Sequence, residues 1–191
     1  MTPLVNYDST VPALDVDSIN SELAQAGPLE IITWAYERFG PTLAMTSSFG
    51  VQSAVMLHLC TQVVPDIPVI LIDTGYLFPE TYRFVEELTA RLKLNLKVVM
   101  PEMTAARQEA LYGKLWEQGE AGMDKYLKMN KVIPLRKAIR ELGVAAWCSG
   151  VQAHQTDHRG QLRIVEFPNE TYNIHPILKW TGQEACIYEK T

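Results

Sequence analysis

The sequence predicts an α/β fold, a doubly wound and mainly parallel sheet with helices on both faces. From Pro41 onward, short apolar runs alternate with longer amphipathic stretches, which is the pattern of βαβ units. The apolar fraction of 47% and the charged fraction of 20% are typical of a globular protein. At 191 residues, the chain is long enough to bury the core of one such domain. We therefore expect a single domain over residues 1–191.

The predicted elements follow one another in the order strand, helix, strand, helix. Strands are expected at 42–47, 68–73, 95–100 and 144–149, and helices near 51–61, 80–93, 104–111 and 134–142. A loose arm to about Asp15 and two helices within 19–39, interrupted at Gly27-Pro28, precede them. Two short β-like pieces are expected at 163–167 and 172–177. Right-handed crossovers would bring the loops after the strands to one sheet edge, where ligands of open α/β sheets bind.

Charge and hydropathy exclude several classes of protein. The net charge of −5 argues against broad nucleic-acid binding, because that binding needs a basic face. The first Lys or Arg is Arg38, so the N-terminus has neither the basic stretch of a signal peptide nor an Arg-rich presequence. The longest aliphatic run, 67–72, is far shorter than the roughly 20 residues that cross a bilayer. We therefore expect a cytoplasmic protein without nucleic-acid or membrane partners.

The cysteines Cys60, Cys148 and Cys186 are widely separated and form neither a CC nor a CxxC pair. This spacing suggests no disulfide framework and no zinc or iron–sulfur site. Cys60, on a predicted helix, and Cys148, at the end of a predicted strand, are expected to be buried and unreactive.

The histidines give no metal site. His154 and His158 are four residues apart and could share a helical face, but a third ligand is not evident. His58 and His175 are interpreted as structural or incidental, and Trp116 as a packing aromatic.

The first candidate site lies directly between the first predicted strand and its helix. Small hydroxyl residues and a glycine let the backbone approach an anion, and free amides at a helix N-terminus offer positive potential. A phosphate or sulfate would fit there without a lysine. The alternative is that Ser47 and Ser48 merely cap a helix. The residues of this segment are Thr46, Ser47, Ser48, Phe49, Gly50, Val51, Gln52 and Ser53.

The second candidate site follows the second predicted strand. Asp73 ends that strand, and Thr74 begins a short loop that leads into a helix with Pro79 near its start. An acceptor and a hydroxyl at this position can orient a ribose or an adenine edge, and Leu77 and Phe78 could cover a base. The alternative is a capped turn with apolar core residues.

Together these segments resemble the bacterial thioredoxin-dependent reductases of 3′-phosphoadenylyl sulfate (PAPS). The shared runs are, in order, SSFGVQSAV, PDIPVILIDTGYLFPETYRFVEELT, LNLKVV, YGKLWEQG and NKVIPL. The resemblance extends from about Pro41 to Gly150 and continues loosely to Trp180, which makes it far more specific than a short motif. It implies an adenine nucleotide alpha hydrolase-like fold in which 47–53 form a modified PP-loop around phosphate or sulfate.

The resemblance also implies an activity, the reduction of PAPS to sulfite and adenosine 3′,5′-bisphosphate in assimilatory sulfate reduction. In that reaction a cysteine thiolate attacks the sulfur, and thioredoxin or glutaredoxin then frees sulfite. Lys131 in NKVIPL and Arg159 match cationic substrate contacts, and Asp73 and Thr74 would lie near the nucleoside. For Lys131 the alternative is a solvated surface lysine.

The resemblance further implies a homodimer. APS reductases hold a [4Fe–4S] cluster with CC and CxxC cysteines, which this sequence lacks. PAPS is therefore the expected substrate, and no bound cofactor is expected.

The sequence departs from the family at two places. Where the family usually has G-L-R-R-E-Q-S, Gln152 and Ala153 replace the paired arginines, so two permanent cations are missing. The family's nucleophile lies in a C-terminal E-C-G-L-H motif, whereas this sequence ends at Thr191 without one, and Cys186 occupies an ordinary helical stretch. From the sequence alone we therefore expect the catalytic tail to be absent, and we assign no catalytic residue.

Two alternatives follow from these departures. One is an inactive or truncated homologue that binds the adenine nucleotide only. The other is an adenylating enzyme of the ATP pyrophosphatase type, which the sequence disfavours because its SGGxDS loop has aspartate where this chain has Gln52.

Overall fold

The computed structural model describes residues 13–50, 53–157, 159–168, 170–182 and 184. In these residues the strands are β1 (Leu43–Thr46), β2 (Pro68–Ile72), β3 (Asn95–Val99), β4 (Ala146–Ser149), β5 (Val165–Glu166) and β6 (Tyr172–Ile174). The α-helices are α1 (Val16–Glu22), α2 (Pro28–Phe39), α3 (Ser53–Val63), α4 (Pro79–Leu92), α5 (Ala105–Tyr112), α6 (Gly119–Leu127) and α7 (Ile133–Glu141).

The six strands form one sheet in the order β3-β2-β1-β4-β6-β5. Every neighbouring pair is parallel except β5 with β6. The chain winds outward from β1 to β3 and then returns to the other side of β1 for β4, so the winding reverses between β1 and β4. At such a reversal the loops that follow the two strands diverge and leave a crevice at the carboxyl edge of the sheet. The predicted α/β fold with a mainly parallel sheet is confirmed.

Helices cover both faces of the sheet, because successive side chains of a strand point to opposite sides. On one face Val69 packs in the larger core cluster with Leu57 of α3. On the other face Ala44 and Ile70 pack with Ala138 of α7 in a smaller cluster. Burial on both faces explains why β2 reads as a continuous apolar run rather than an alternating one.

The sequence patterns predicted no helix between 112 and 133, and this interpretation was wrong. The structure has α6 there, followed by a π-helical turn, Lys128–Val132, that leads directly into α7. Two glycines, Gly119 and Gly122, weaken the helical signal of α6. Pro134 cannot donate to the carbonyl four residues earlier, and the wider π turn lies immediately before it.

A buried pair of amide side chains joins the π turn to α5. Gln108 Nε2 donates to Asn130 Oδ1 at 2.7 Å, and Asn130 Nδ2 donates to Gln108 Oε1 at 2.9 Å. Gln108 also donates to the Met103 carbonyl, and Asn130 to the Tyr126 carbonyl. The pair fixes the register of the π turn, and therefore the place of Lys131 on it.

Replacing one member of this pair should cost more than its own contacts. We expect Asn130→Ala to lower the free energy of unfolding by about 1–3 kcal/mol, because Gln108 Oε1 is left buried without a donor. Gln108→Ala should cost a similar amount, and the double variant less than the sum of the two. Urea denaturation followed by circular dichroism measures all three, with exposed Gln161→Ala as a matched control. Strict additivity would contradict the coupling.

Candidate functional site

A cavity of about 700 Å³ lies at the carboxyl ends of β1 and β4, where the winding reverses. This volume is within the range of small-molecule sites, roughly 300–1,000 Å³. We call it the switch-point cavity. The described residues that line it are Met45, Thr46, Ser47, Ser48, Gly50, Ser53, Met56, Leu135, Trp147, Ser149, Gly150, Val151, Gln152, Gln155, Arg159, His175 and Ile177.

The turn after β1 forms one wall of the cavity. The Ser47 amide donates to the Ile70 carbonyl at 3.0 Å, and Ser47 Oγ accepts from the Phe49 amide at 3.1 Å. Phe49 has a φ of 50°, in the left-handed region that bulky residues rarely adopt, at a cost on the order of 1 kcal/mol or more. Its side chain is only 2% exposed, and burial of the ring offsets that strain. The buried ring holds the turn with Ser48 and Gly50 exposed.

This turn presents unpaired donors to the cavity. Among the described residues, the Ser48 and Gly50 amides have no acceptor, and the Ser48 and Ser53 hydroxyls have no partner. The Ser53 amide is used, since it donates to the Gly50 carbonyl at 2.8 Å. The amide that the Ser47 hydroxyl caps is that of Phe49, which lies inside the turn. The remaining amides and hydroxyls are free to bind an anion.

The segment after β4 forms the opposite wall and carries a cation. Gln152 is 1% exposed, and its Oε1 accepts from Gln155 Nε2 at 3.0 Å. Gln155 Oε1 in turn accepts from the Arg159 guanidinium. This chain of side chains holds Arg159 at the cavity without a carboxylate partner in the described residues. Gln152 Nε2 is buried and has no hydrogen-bond partner among the residues that the structure describes. A buried unpaired donor costs about 1–3 kcal/mol unless a ligand accepts from it.

His175 lies on the same wall, in contact with the end of β4. Its Nδ1 is 2.8 Å from Ser149 Oγ, and its Nε2 is 3.5 Å from Glu166 Oε2 on β5. Burial lowers the pKa of His175 below its ordinary value of 6.5, and the neighbouring Glu166 carboxylate opposes that shift. The sequence interpretation gave His175 no role in the site. No pattern in the segment around β6 marks His175, because its place at the cavity depends on the pairing of β6 with β4.

The structure brings part of the first predicted site together at the cavity. Ser47, Ser48, Gly50 and Ser53 line it, and so does Arg159 from the distant segment after β4. The Phe49 side chain is buried under the turn and is not one of the described lining residues. Gln52 lies outside the described residues.

Asp73 and Thr74 are not among the described residues that line the cavity. Asp73 Oδ1 accepts from the Gly75 amide and from the Tyr82 hydroxyl, both at 2.8 Å. Thr74 is buried, and its Oγ1 accepts from the Tyr76 amide at 3.3 Å. These contacts are those of a capped turn, the alternative considered for this segment. Their place near a nucleoside stays a prediction.

Lys131 is exposed on the π turn and has no ion pair among the described residues. Its contact with substrate stays a prediction. Nearby, Trp116 packs edge-on against Tyr76 and Tyr126, with ring centroids 4.9 and 5.7 Å apart. Its interpretation as a packing aromatic is confirmed.

The described cysteines are buried, as expected, and neither is a described lining residue of the cavity. A hydrogen bond with Cys148, together with burial, raises the pKa of the Cys60 thiol well above its ordinary value of 9.0. A thiol held protonated is a poor nucleophile. Cys186 and His158 lie outside the described residues. In the part of the chain that is described, no three His, Cys, Asp or Glu side chains are grouped so as to hold a metal ion.

No helix within the described ranges has both the length and the apolar character needed to span a membrane.

A parallel sheet that reverses its winding at a hydroxyl-rich turn, with unpaired donors facing the crevice, defines an α/β protein of the anion- and nucleotide-binding class. The family model for the phosphoadenosine phosphosulfate reductase domain matches residues 42–191. The chain belongs to the phosphoadenosine phosphosulfate reductase family.

Relatives in sequence carry the same family name. The phosphoadenosine 5′-phosphosulfate reductase of Synechococcus sp. is 52% identical over 181 residues, which cover 93% of this chain and 78% of the relative. That of Alkalilimnicola ehrlichii is 49% identical over 174 residues, which cover 91% of this chain and 71% of the relative. That of Vibrio parahaemolyticus is 47% identical over 188 residues, covering 98% and 73%.

Solved structures agree with the fold. The phosphoadenylyl-sulfate reductase of Candida auris, a phosphate complex, superimposes with a TM-score of 0.80 at 27% identity, covering 94% of this chain and 87% of that one. The FMN adenylyltransferase of Candida glabrata (TM-score 0.60, 14% identity, 93% and 59% covered) shares the fold alone. The NH3-dependent NAD synthetase of Campylobacter jejuni also shares the fold alone, with a TM-score of 0.58 at 14% identity, covering 93% of this chain and 73% of that one.

The lowered pKa of His175 predicts a pH dependence of stability. Below pH 6.5 the unfolded chain binds a proton at this position more readily than the folded chain does, so acid favours unfolding. We expect the free energy of unfolding to fall as the pH drops below 6.5, until the folded ring itself protonates. Urea denaturation across this range should show a steeper fall in the wild type than in His175→Leu. The exposed His58→Leu serves as the control and should retain the steeper fall; equal slopes in all three chains would contradict the assignment.

Proposed function

We propose that this chain catalyses the thioredoxin-dependent reduction of PAPS to sulfite and adenosine 3′,5′-bisphosphate, in assimilatory sulfate reduction. The observation that carries the proposal is the switch-point cavity of a reductase-family chain, lined by donors without partners. Curated relatives 45–52% identical over most of this chain are named phosphoadenosine 5′-phosphosulfate reductase.

The cavity has the donors that a sulfated phosphate needs. Phosphate and sulfate oxygens only accept hydrogen bonds, and the Ser48 and Gly50 amides with the Ser53 hydroxyl offer hydrogens to them. Arg159 adds a permanent cation, oriented by its hydrogen bond to Gln155. These groups are already in place before the ligand binds, so the protein reorganises little to neutralise the anion.

The proposed chemistry transfers the sulfonate group to the enzyme and then releases it as sulfite. A cysteine thiolate forms a bond to the sulfur of PAPS while the bond from that sulfur to the bridging phosphate oxygen breaks. The bond electrons leave with adenosine 3′,5′-bisphosphate, whose growing negative charge the cavity donors stabilise. One thiolate of reduced thioredoxin then attacks the cysteine Sγ of S-sulfocysteine, the bond from Sγ to the sulfonate sulfur breaks, and sulfite leaves with the bond electrons. The second thioredoxin thiol resolves the mixed disulfide. The dithiol supplies both electrons.

Neither described cysteine suits the role of nucleophile. Cys60 and Cys148 are both fully buried, and the raised pKa of Cys60 keeps its thiol protonated. The proposal therefore assigns the attacking thiolate to neither of them.

Several finer features belong to the same proposal and rest on the family resemblance. We propose thioredoxin or glutaredoxin as the reductant, a homodimer as the assembly, the cytoplasm as the location, and no iron–sulfur cluster. Lys131 would supply a second cationic contact, and Asp73 with Thr74 would lie toward the nucleoside. Phe49 would act by shaping the turn, and Gln52 would complete it.

The activity is tested by mixing the chain with PAPS and reduced thioredoxin and measuring sulfite. We expect sulfite release that requires both reactants, and intact-protein mass spectrometry without thioredoxin should show one added SO₃ group. Calorimetric titration with adenosine 3′,5′-bisphosphate provides the parallel binding measurement. Saturable binding with neither adduct nor sulfite would replace the proposed activity with nucleotide binding alone. Absence of binding would refute both, and conversion of ATP to AMP would point to the adenylating class.

Arg159 provides a sharper test of the site. We expect Arg159→Gln to weaken binding of adenosine 3′,5′-bisphosphate by about 10- to 100-fold, because one charge-assisted contact is lost. The matched control is Arg163→Gln, whose guanidinium pairs with Asp17 at 2.7 Å and is not among the described lining residues. The control should bind as the wild type does. Equal losses in the two variants would show that Arg159 acts only through net charge.

A further inference from the structure

We propose that Ser149 determines which part of the ligand occupies its side of the switch-point cavity. Glu166 and His175 fix the direction of its hydroxyl, so that Ser149 Oγ accepts a hydrogen bond from the nucleoside rather than donating one to phosphate or sulfate. The inference rests on the proposed function and adds to it the orientation of the nucleotide in the cavity.

The sheet register brings the three side chains together. β4 and β6 run parallel, with Cys148 opposite Ile174, so Ser149 and His175 are the next residues along two neighbouring strands. β5 pairs antiparallel with β6, and Glu166 stands opposite Asn173. The backbone amide of His175 donates to the Ile164 carbonyl at 2.8 Å, which holds the ring at the end of the sheet. The arrangement is therefore part of the sheet.

The hydrogens of these groups can be assigned one after another. A carboxylate oxygen only accepts, so Glu166 Oε2, 3.5 Å away, favours the proton of the ring on His175 Nε2. The neutral imidazole carries a single N–H, and burial of the ring favours that neutral form by lowering its pKa. Nδ1 is then an acceptor at 2.8 Å from Ser149 Oγ, so the serine hydroxyl donates to it. The only hydrogen of the hydroxyl is used.

The Ser149 hydroxyl can therefore only accept hydrogen bonds from a ligand in the cavity. A phosphate or sulfate oxygen placed there would meet another acceptor, which disfavours it. Among the described residues, donors without partners line the cavity at Ser48, Gly50 and Ser53 on the turn after β1, and at Gln152 Nε2 on the opposite wall. Arg159, which already donates to Gln155, adds its positive charge. The cavity thus has donors for the anion and, at Ser149, an acceptor for a ligand hydroxyl or amine. On adenosine 3′,5′-bisphosphate these donors are the ribose 2′-hydroxyl and the adenine 6-amine.

The first test crosses a variant with a set of ligands. Wild type and Ser149→Ala are titrated with adenosine 3′,5′-bisphosphate, its 2′-deoxy analogue and inosine 3′,5′-bisphosphate, in which a carbonyl replaces the amine. We expect the variant to lose about tenfold in affinity for the parent and almost nothing for the one analogue that lacks the donor. That analogue identifies the ribose or the base as the partner. Exposed Ser21→Ala on α1 is the matched control.

Two results would overturn the inference. One is an equal loss on all three ligands, and the other is no loss on any of them. If wild type fails to bind the parent nucleotide, the proposed function falls and takes this inference with it. If wild type binds and the losses are equal, only the inference falls.

The second test measures the ring tautomer directly and needs no ligand. In ¹⁵N spectra of the wild-type chain, His175 should show a protonated Nε2 and a bare Nδ1. Glu166→Gln should weaken this preference, because an amide can donate as well as accept. Ser149→Thr keeps the hydroxyl and should retain both the tautomer and most of the affinity. A protonated Nδ1 in the neutral wild-type ring would overturn the inference, because Ser149 would then be free to donate.

Discussion

The parallel pairing of β1 with β4 is the constraint on which the rest of the molecule depends. These strands are about 100 residues apart in the chain, yet Met45 lies opposite Cys148 and Thr46 opposite Ser149. The pairing places the turn after β1 and the segment after β4 at one edge, with the winding reversed between them. The cavity and its donors follow from that geometry. Any change that separated these two strands would remove the site as well as the core.

The turn after β1 shows how a strained backbone serves an anion site. Phe49 adopts an unfavourable φ, and its buried ring holds the turn so that the neighbouring residues remain exposed. No lysine is needed for such a site, because backbone amides supply the positive potential. The single cation among the described lining residues, Arg159, is held by neutral amides and not by a carboxylate. Within the described ranges no carboxylate neutralises its charge, which can therefore act on a ligand.

The fold could largely be predicted from the sequence, because burial on both sheet faces leaves short apolar runs at β1, β2 and β4 that alternate with helices. The helix α6 could not be predicted, because its two glycines weaken the helical pattern of apolar residues. The π turn that follows then interrupts the regular helical spacing between α6 and α7. The helix boundary at Gly27-Pro28 was predictable because Pro28 occupies the first turn of α2, where its missing amide costs nothing.

The site could be predicted only where it is local in sequence. The serines of the turn lie in one segment, and they line the cavity together. Asp73 and Thr74 have the right chemistry at the end of a strand, but Asp73 Oδ1 and the Thr74 hydroxyl accept hydrogen bonds from amides of their own turn, and neither residue is among the described residues that line the cavity. His175 was interpreted from the sequence as structural or incidental, because its contact with Ser149 depends on the register of β4 and β6, which no pattern in either segment encodes. Sequence patterns report neighbours along the chain, and this contact joins residues 26 positions apart.

The π turn at Lys128–Val132 also bears on how the chain tolerates changes in length. A π turn is an α-helical turn with one extra residue, so deleting one residue there would restore a continuous α-helix from α6 into α7. Because the wider turn already accommodates that residue, α6 and α7 would keep nearly the same orientation relative to each other. The contacts made from within the turn would change, namely the pairing of Asn130 with Gln108 and the position of Lys131. The loss of one residue here would therefore disturb the turn itself far more than the packing of the two helices that it joins.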